Sequence, residues 1–378
     1  MDFFKLHSFI ANLRYKSYRL GQRLSLGKFS GKAIGINLCR SLEEASARPK
    51  IAKHILDRTC ISNAYVQKYP FPDNFPSYFP REEAFSSRFA YLLSDVVISP
   101  HRGGMWFENE AFLQESLGCI PRIFGWGGIK ETLLPIKKKN VPTPIVPLAN
   151  AGYYHVLMES IPQALHALEH YPETRLLIPR TPKKHLLNIL EFLNLLNETR
   201  IVRSNYPLRV QQAVLVPRWV NSGFVPQEDI DILRKHILPK LKKTRKRKLY
   251  ISRSKCDHRS LSNEVDLEKE LKKRGFEIVF FEEMSFSQQM ISVANAELIV
   301  APHGAGLANI IAGSTGLAII EIISPNWFNT CYAKLARQCG FDYQYVTTEL
   351  NNSNSYQIPI DTVIEQIQLA TRPKSLTE

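Results

Sequence analysis

From Thr143 to Thr348 the apolar residues fall into short blocks that alternate between two rhythms. Unbroken apolar runs in TPIVPLAN, TRLLIP, TRIVRS and QAVLVP have the length and the flanking breakers of buried strands. Between them, YYHVLMESIPQALHALEHY, KKHLLNILEFLNLL and PQEDIDILRKHIL carry apolar residues three and four apart, as a helix with one buried face requires. The alternation resumes at KLYISRS and continues through FEIVFF, ELIVAP, LAIIEII and YQYVTT as strands. SNEVDLEKELKKRG, SFSQQMISVANA and WFNTCYAKLARQCG are the intervening helices, the first capped by Ser262 and Gly275. A short helix is expected after Gly306, and a last one at about 360–370. Strands alternating with helices imply parallel strands in a layered α/β sheet. Two such series predict two Rossmann-like lobes, with ligands bound in a cleft outside the carboxyl ends of the strands.

Residues 1–140 lack this rhythm; YPFPDNFPSYFPREE is dense in proline and aromatics, and VVISPHRGGMWFENE joins a strand to a glycine turn. Short strands and loops packed on the first lobe would suit this region. The run KLKKTRKRK, residues 240–248, is basic at seven of nine positions and marks a boundary. The expected organisation is an amino-terminal extension at 1–90, a first lobe at 91–240, a second at 241–350, and a terminal helix and tail at 351–378.

A chain of 378 residues with 44% hydrophobic content is long enough for two cores. The formal net charge of +14 favours anionic partners. Nucleic acid is disfavoured, because no aromatic residue interrupts the basic run to stack on bases. The six cysteines form no CxxC pair and no zinc spacing, so they read as free thiols. The start, MDFFKLHSFIANLRYKSYRL, lacks the apolar core of a signal peptide and the length of a membrane span. Its interleaved Phe, Leu, Lys and Arg suit either a basic amphipathic helix on an anionic membrane surface or an ordinary docked helix. The expected location is the cytoplasm, including the inner face of the plasma membrane.

Chemistry-bearing residues cluster at strand ends. In APHGAGLANII the chain turns from a strand into a helix at His303, Gly304, Ala305 and Gly306. That block is equally a tight turn and a phosphate grip, since helix-start amides attract anions and glycines let a diphosphate approach. Arg253, at the end of YISRS, can grip two phosphate oxygens, with Ser252 as a further donor, or form a structural ion pair. Glu321 at the end of LAIIEII is a candidate ribose acceptor or an ordinary acid. In NAGYYHVLMESIP, His155 and Glu159 share one helix face, with Pro162 expected to kink the helix. A His beside a carboxylate suits a general base, a structural pair, or half of a metal site with no third ligand apparent.

Taken in order, NAGYYHVLMESIPQAL, LYISRSKCDHRSLSNEVDL and VAPHGAGLANIIAGSTGLAIIEI resemble the signatures of glycosyltransferase family 61, which includes bacterial capsular-polysaccharide proteins. Val156 stands where the family usually has Trp, which touches the acceptor wall rather than the charged and glycine positions. The resemblance covers about residues 90–350 and implies a GT-B fold, a nucleotide-sugar donor, a glycan or lipid-linked glycan acceptor, inversion, and no metal or other cofactor. It implies His155 as base with Glu159 orienting it or replacing it, and Arg253 with the Gly304–Gly306 amides on the diphosphate. His303 is assigned to the diphosphate or donor sugar and Asn309 to pinning the loop. A non-catalytic nucleotide-sugar or polyanion binder needs only the HGAG turn, Arg253 and the basic surface, and is the competing reading.

Overall fold

The computed structural model describes residues 38–39, 41–72, 74–108, 110–117, 132, 134–218, 223–242, 244, 246–255, 261–350 and 356–371. The amphipathic start lies outside them. No helix among the described residues is long and apolar enough to cross a membrane. Cys39, Cys60 and Cys331 are free thiols. The chain divides into two compact units, the first holding the described residues up to Tyr65 with Ala84–Leu233, the second holding Val66–Glu83 and the described residues from Arg234 onward.

Unit 1 is built on a ten-stranded sheet of β1 (Leu38–Cys39), β2 (Ile55–Ser62), β3 (Arg88–Ile98), β4 (Met105–Phe107), β5 (Ala111–Leu113), β6 (Lys137–Lys139), β7 (Ile145–Pro147), β8 (Arg175–Ile178), β9 (Ile201–Arg203) and β10 (Leu208–Leu215). Strands β10, β7, β8 and β9 are parallel neighbours, as the alternation requires. The rest of the sheet is mostly antiparallel: β3 pairs with β10, β2 and β4, and β4 with β5, whereas β1 lies parallel to β5 and β6 parallel to β10. The irregular residues before 140 therefore supply six of its ten strands. Strand β3 hides its period because Val96, Val97 and Ile98 are all buried and Asp95 sits at φ 49°, which breaks the alternation between them. Helix α1 (Ile161–His170) packs on β3, β7 and β10; α2 (Lys184–Phe192) is a further helix of the unit, and α3 (Gln227–Ile237) begins in it and ends in unit 2 from Arg234.

Unit 2 is a five-stranded parallel sheet of β11 (Arg247–Ile251), β12 (Phe276–Val279), β13 (Ala296–Pro302), β14 (Ala318–Ile323) and β15 (Asp342–Thr347), ordered β12-β11-β13-β14-β15. Its helices are α4 (Glu264–Lys273), α5 (Phe286–Ala294), α6 (Cys331–Gln338) and α7 (Ile360–Ala370). Strand order reverses between β11 and β13. At such a reversal the connections leave toward opposite faces and open a crevice at the carboxyl ends. Leu249, Ile299 and Ile320 are wholly buried in the sheet, as strands covered on both faces require. The N-cap of α4 is Asn263 rather than Ser262, whose hydroxyl instead donates to the Tyr356 carbonyl at 3.1 Å. Gly275 ends that helix at φ 80°, a conformation that favours glycine.

The proline-aromatic stretch Val66–Glu83 belongs to unit 2. Phe75 is buried with its ring centroid 5.6 Å from Phe328 and 5.5 Å from Tyr345, and the Tyr345 hydroxyl donates to the Asn74 carbonyl at 2.7 Å. Its prolines forgo backbone donors that a loop on a surface has no ladder to satisfy, while its rings cover the outer strand β15.

Candidate active site

In unit 2 the reversal between β11 and β13 brings two sequence-predicted segments together: Arg253 follows β11, and His303–Gly306 follow β13. Gly304 has φ −178° and ψ 164°, an extended conformation open to any residue, so no turn requires a glycine there. Space does. A Cβ on Gly304 would overlap Arg253 Nη1 and lie 3.1 Å from its Cζ, because the guanidinium rests over this glycine. At Gly306 a Cβ would come within 3.1 Å of Phe281 Cδ2. The helix begins at Ala305, earlier than expected, and is a 3-10 helix over Ala305–Ala312. The first-turn amides of a helix have no intrahelical acceptor. Ala305 is exposed and Gly306 half-buried, so these donors sit beside the Arg253 charge.

Arg253 is held by a buried acid pair. Its backbone N–H donates to Glu264 Oε1 at 2.7 Å, and the Tyr250 hydroxyl donates to the same oxygen at 2.9 Å. Burial pushes the Glu264 carboxyl up from its ordinary value, an effect the Arg253 N–H opposes. Ser252 is buried and donates to Glu268 Oε1 at 2.6 Å, which Ser254 also reaches at 2.8 Å. The Ser252 hydroxyl positions the strand end through Glu268, so the donor role expected of it would require this bond to be exchanged.

His303 Nδ1 donates to Glu321 Oε1 in a short hydrogen bond, and the Tyr343 hydroxyl donates to Glu321 Oε2 at 2.6 Å. Glu321 is completely buried, so the ribose contact expected of it would displace one of these partners; the carboxylate orients His303. Tyr343→Phe leaves Glu321 Oε2 buried without this donor, and should lower stability by about 1–3 kcal/mol in chemical denaturation. Asn309 is also completely buried, and its Nδ2 donates to Gln289 Oε1 at 2.8 Å, tying the 3-10 helix to α5. Arg253, His303 and the Ala305–Gly306 segment thus stand at the strand-order reversal, with Ser252, Asn309 and Glu321 buried beside them.

Gly304→Ala tests this packing. The obstructing atoms are the mobile end of an arginine, so stability should change by less than about 0.5 kcal/mol. Binding of an anionic ligand should weaken by about ten- to a hundredfold, the equivalent of one charge-assisted hydrogen bond of roughly 1.5–3 kcal/mol. Calorimetry with a nucleoside diphosphate reads both.

In unit 1 the expected helix over YYHVLMESIPQALHALEHY is continuous, and Pro162 is accommodated by widening it. A helical turn at Tyr153–His155 passes into a π-helix at Val156–Ser160 and then into α1. The Ile161 amide bonds to the Val156 carbonyl five residues back, and the proline follows at once. His155 Nδ1 donates to Glu159 Oε1 at 2.8 Å, with the His155 side chain 39% exposed and Glu159 13%. The hydrogen bond to Glu159 raises the His155 pKa above its ordinary value, against the opposing effect of burial.

Beside this pair lies a residue the sequence reading missed. Arg218 is buried, donates to Gln163 Oε1 at 2.5 Å and reaches Ser160 Oγ at 3.4 Å, while Ser160 Oγ accepts from the Ala149 amide at 2.8 Å. Burial lowers the Arg218 guanidinium to about 10, and the Glu159 charge partly offsets this. Nothing in the local sequence marks Arg218, which the fold brings to Glu159 from the far end of β10. Glu264 does carry a signal, as the acid of the Asn-Glu pair in SLSNEVDL. A cavity of about 600 Å³ in unit 1 is lined by Arg218, Arg88, Glu115, Glu228, Phe89 and Tyr91, among others. Aromatic faces among charged hydrogen-bonding groups suit a polyhydroxylated ligand.

Residues 153–320 match the family model described as Glycosyltransferase 61, a span that contains every candidate residue except Glu321, the next along the chain. Among curated proteins no match was found.

Proposed function

Since the chain belongs to glycosyltransferase family 61 and is a glycosyltransferase, we propose that it transfers a sugar from a nucleotide-sugar donor to a hydroxyl of a glycan acceptor, with inversion and without an obligatory metal. The observation that carries the donor half is the pairing of Arg253 with the Ala305–Gly306 amides at the strand-order reversal of a parallel sheet. A nucleoside diphosphate leaving group gains charge as its bond to the anomeric carbon breaks. Arg253 and the helix-start amides supply compensating positive charge where a divalent cation would otherwise do so. His303, oriented by Glu321, contacts the diphosphate or the donor sugar.

The acceptor half rests on His155. Its Nδ1–H is engaged by Glu159, so its Nε2 lone pair takes the proton of the acceptor hydroxyl. The acceptor oxygen then bonds to the anomeric carbon as the bond to the diphosphate oxygen breaks, in one in-line displacement. The cavity beside Arg218 is our candidate for acceptor sugars. The proposal includes a GT-B organisation, supported by the placement of His155 and Glu159 in unit 1 and of Arg253, His303 and Gly304–Gly306 in unit 2. It also includes a lipid-linked or capsular glycan acceptor at the inner face of a bacterial plasma membrane, supported by the resemblance to capsular-polysaccharide proteins and by the net charge of +14.

A panel of nucleotide sugars tests the reading. The correct donor should raise the unfolding temperature by mass action, and with glycan acceptors should release its nucleoside diphosphate in the presence of a chelator. Stabilisation without transfer to any acceptor would favour the non-catalytic binder, which needs only the unit 2 groups.

A further inference from the structure

Helix α1 carries a second cluster that the transfer reaction does not use. His166, Glu169 and His170 occupy positions i, i+3 and i+4, and each offers a ligand atom within 4.8 Å of the others. Zinc ligands held at roughly 2.0–2.1 Å in a tetrahedron lie about 3.4 Å apart, so modest rotation closes the gap. Glu169 is exposed and His170 half-buried, so both ligand atoms can be reached from solvent.

What separates this cluster from an incidental group of surface side chains is His166. Its side chain is only 5% exposed, and its Nδ1 is buried without a hydrogen-bond partner. A buried ring nitrogen left unpaired costs free energy that folding does not recover. Its other nitrogen, Nε2, bonds to Asp229 Oδ1 at 3.0 Å, and Asp229 is anchored in turn by Arg88 Nη1 at 2.6 Å. A carboxylate on the far nitrogen is the usual support of a metal-binding imidazole, since it fixes the tautomer and the ring plane and leaves the other nitrogen basic. Two imidazoles and a carboxylate, with a position left for water, match the preferences of zinc rather than of magnesium or calcium.

We propose that His166 Nδ1, His170 and Glu169 bind a zinc ion with Asp229 as its supporting carboxylate. The ion joins two successive turns of α1, and through Asp229 it couples that helix to α3 and to β3. Its role is to brace unit 1. The inference does not depend on the transfer reaction or on the absence of a metal from it.

The test uses the full chain stripped with a chelator and dialysed, then titrated with zinc chloride alone. Wild type should bind about one zinc per chain with a raised unfolding temperature, and cobalt should give the visible absorption of a tetrahedral nitrogen and oxygen site. His170→Ala, at a half-buried position that should fold, loses both responses, whereas His236→Ala on α3 keeps them. Asp229→Asn weakens zinc binding by about 10–100-fold. No saturable zinc binding by wild type, or equal binding and equal stabilisation in His170→Ala, would overturn the proposal.

Discussion

His155→Ala lowers kcat by about 10²–10⁴-fold, the range a positioned general base contributes, with little change in donor affinity. The side chain is half-exposed on a helical turn, so its loss leaves the fold intact, and a far-UV spectrum and unfolding temperature matched to wild type confirm it. The pH profile separates a base from a structural pair. A base must be neutral to accept a proton, so kcat falls as pH drops through the His155 pKa. Glu159 raises that pKa through its hydrogen bond. Wild type should therefore lose activity on acidification at a higher pH than Glu159→Gln, in which the acid limb moves down and the maximal rate also falls. If His155→Ala and Glu159→Ala both retained near-normal turnover with donor and acceptor supplied, the base would lie elsewhere.

Arg253→Ala has the second large effect. Removing one preorganised charge from a developing oxyanion typically costs about 10²–10³-fold in kcat, and here the nucleoside diphosphate should also bind more weakly as a product inhibitor. Arg253→Lys keeps the charge but loses the planar fork, so it should fall between alanine and wild type. Glu264→Gln supplies the contrast: it removes the charge that accepts the Arg253 N–H and the Tyr250 hydroxyl but leaves the guanidinium present. It should therefore raise donor KM more than it lowers kcat. Undiminished diphosphate inhibition in Arg253→Ala would remove this residue from donor binding.

The parallel strands were legible because strands buried on both faces read as unbroken apolar runs, as ELIVAP and LAIIEII do. Strand-end positions were legible for the same reason, which is how Arg253 and His303 were found. Which of these side chains meets a ligand was not legible, because that depends on what approaches from other strands. Glu321 looked available until Tyr343, 22 residues on, closed over it. Ser252 looked like a donor until α4 brought Glu268 beneath it. Gly304 invited a conformational explanation, whereas its lack of a side chain accommodates Arg253 from another strand. The antiparallel half of unit 1 was obscured by the twist at Asp95, and the π-helix by a proline that reads as a kink.

The Val66–Glu83 stretch also governs how this protein can be made. The peptide passes from one unit to the other at Tyr65, returns at Ala84 and leaves again after Leu233. Asn74 meets Tyr345 across 271 residues, so on the ribosome the cover of β15 is synthesised long before the strand it covers. Unit 1 can collapse while unit 2 still waits for its last strand, and such late, distant pairing slows folding and leaves apolar surface open. A fragment beginning at Arg234 would lack Phe75 and expose the rings of Phe328 and Tyr345 that it packs against. Expression of that fragment alone should yield aggregate, and co-expression with a peptide spanning Val66–Glu83 should recover soluble protein.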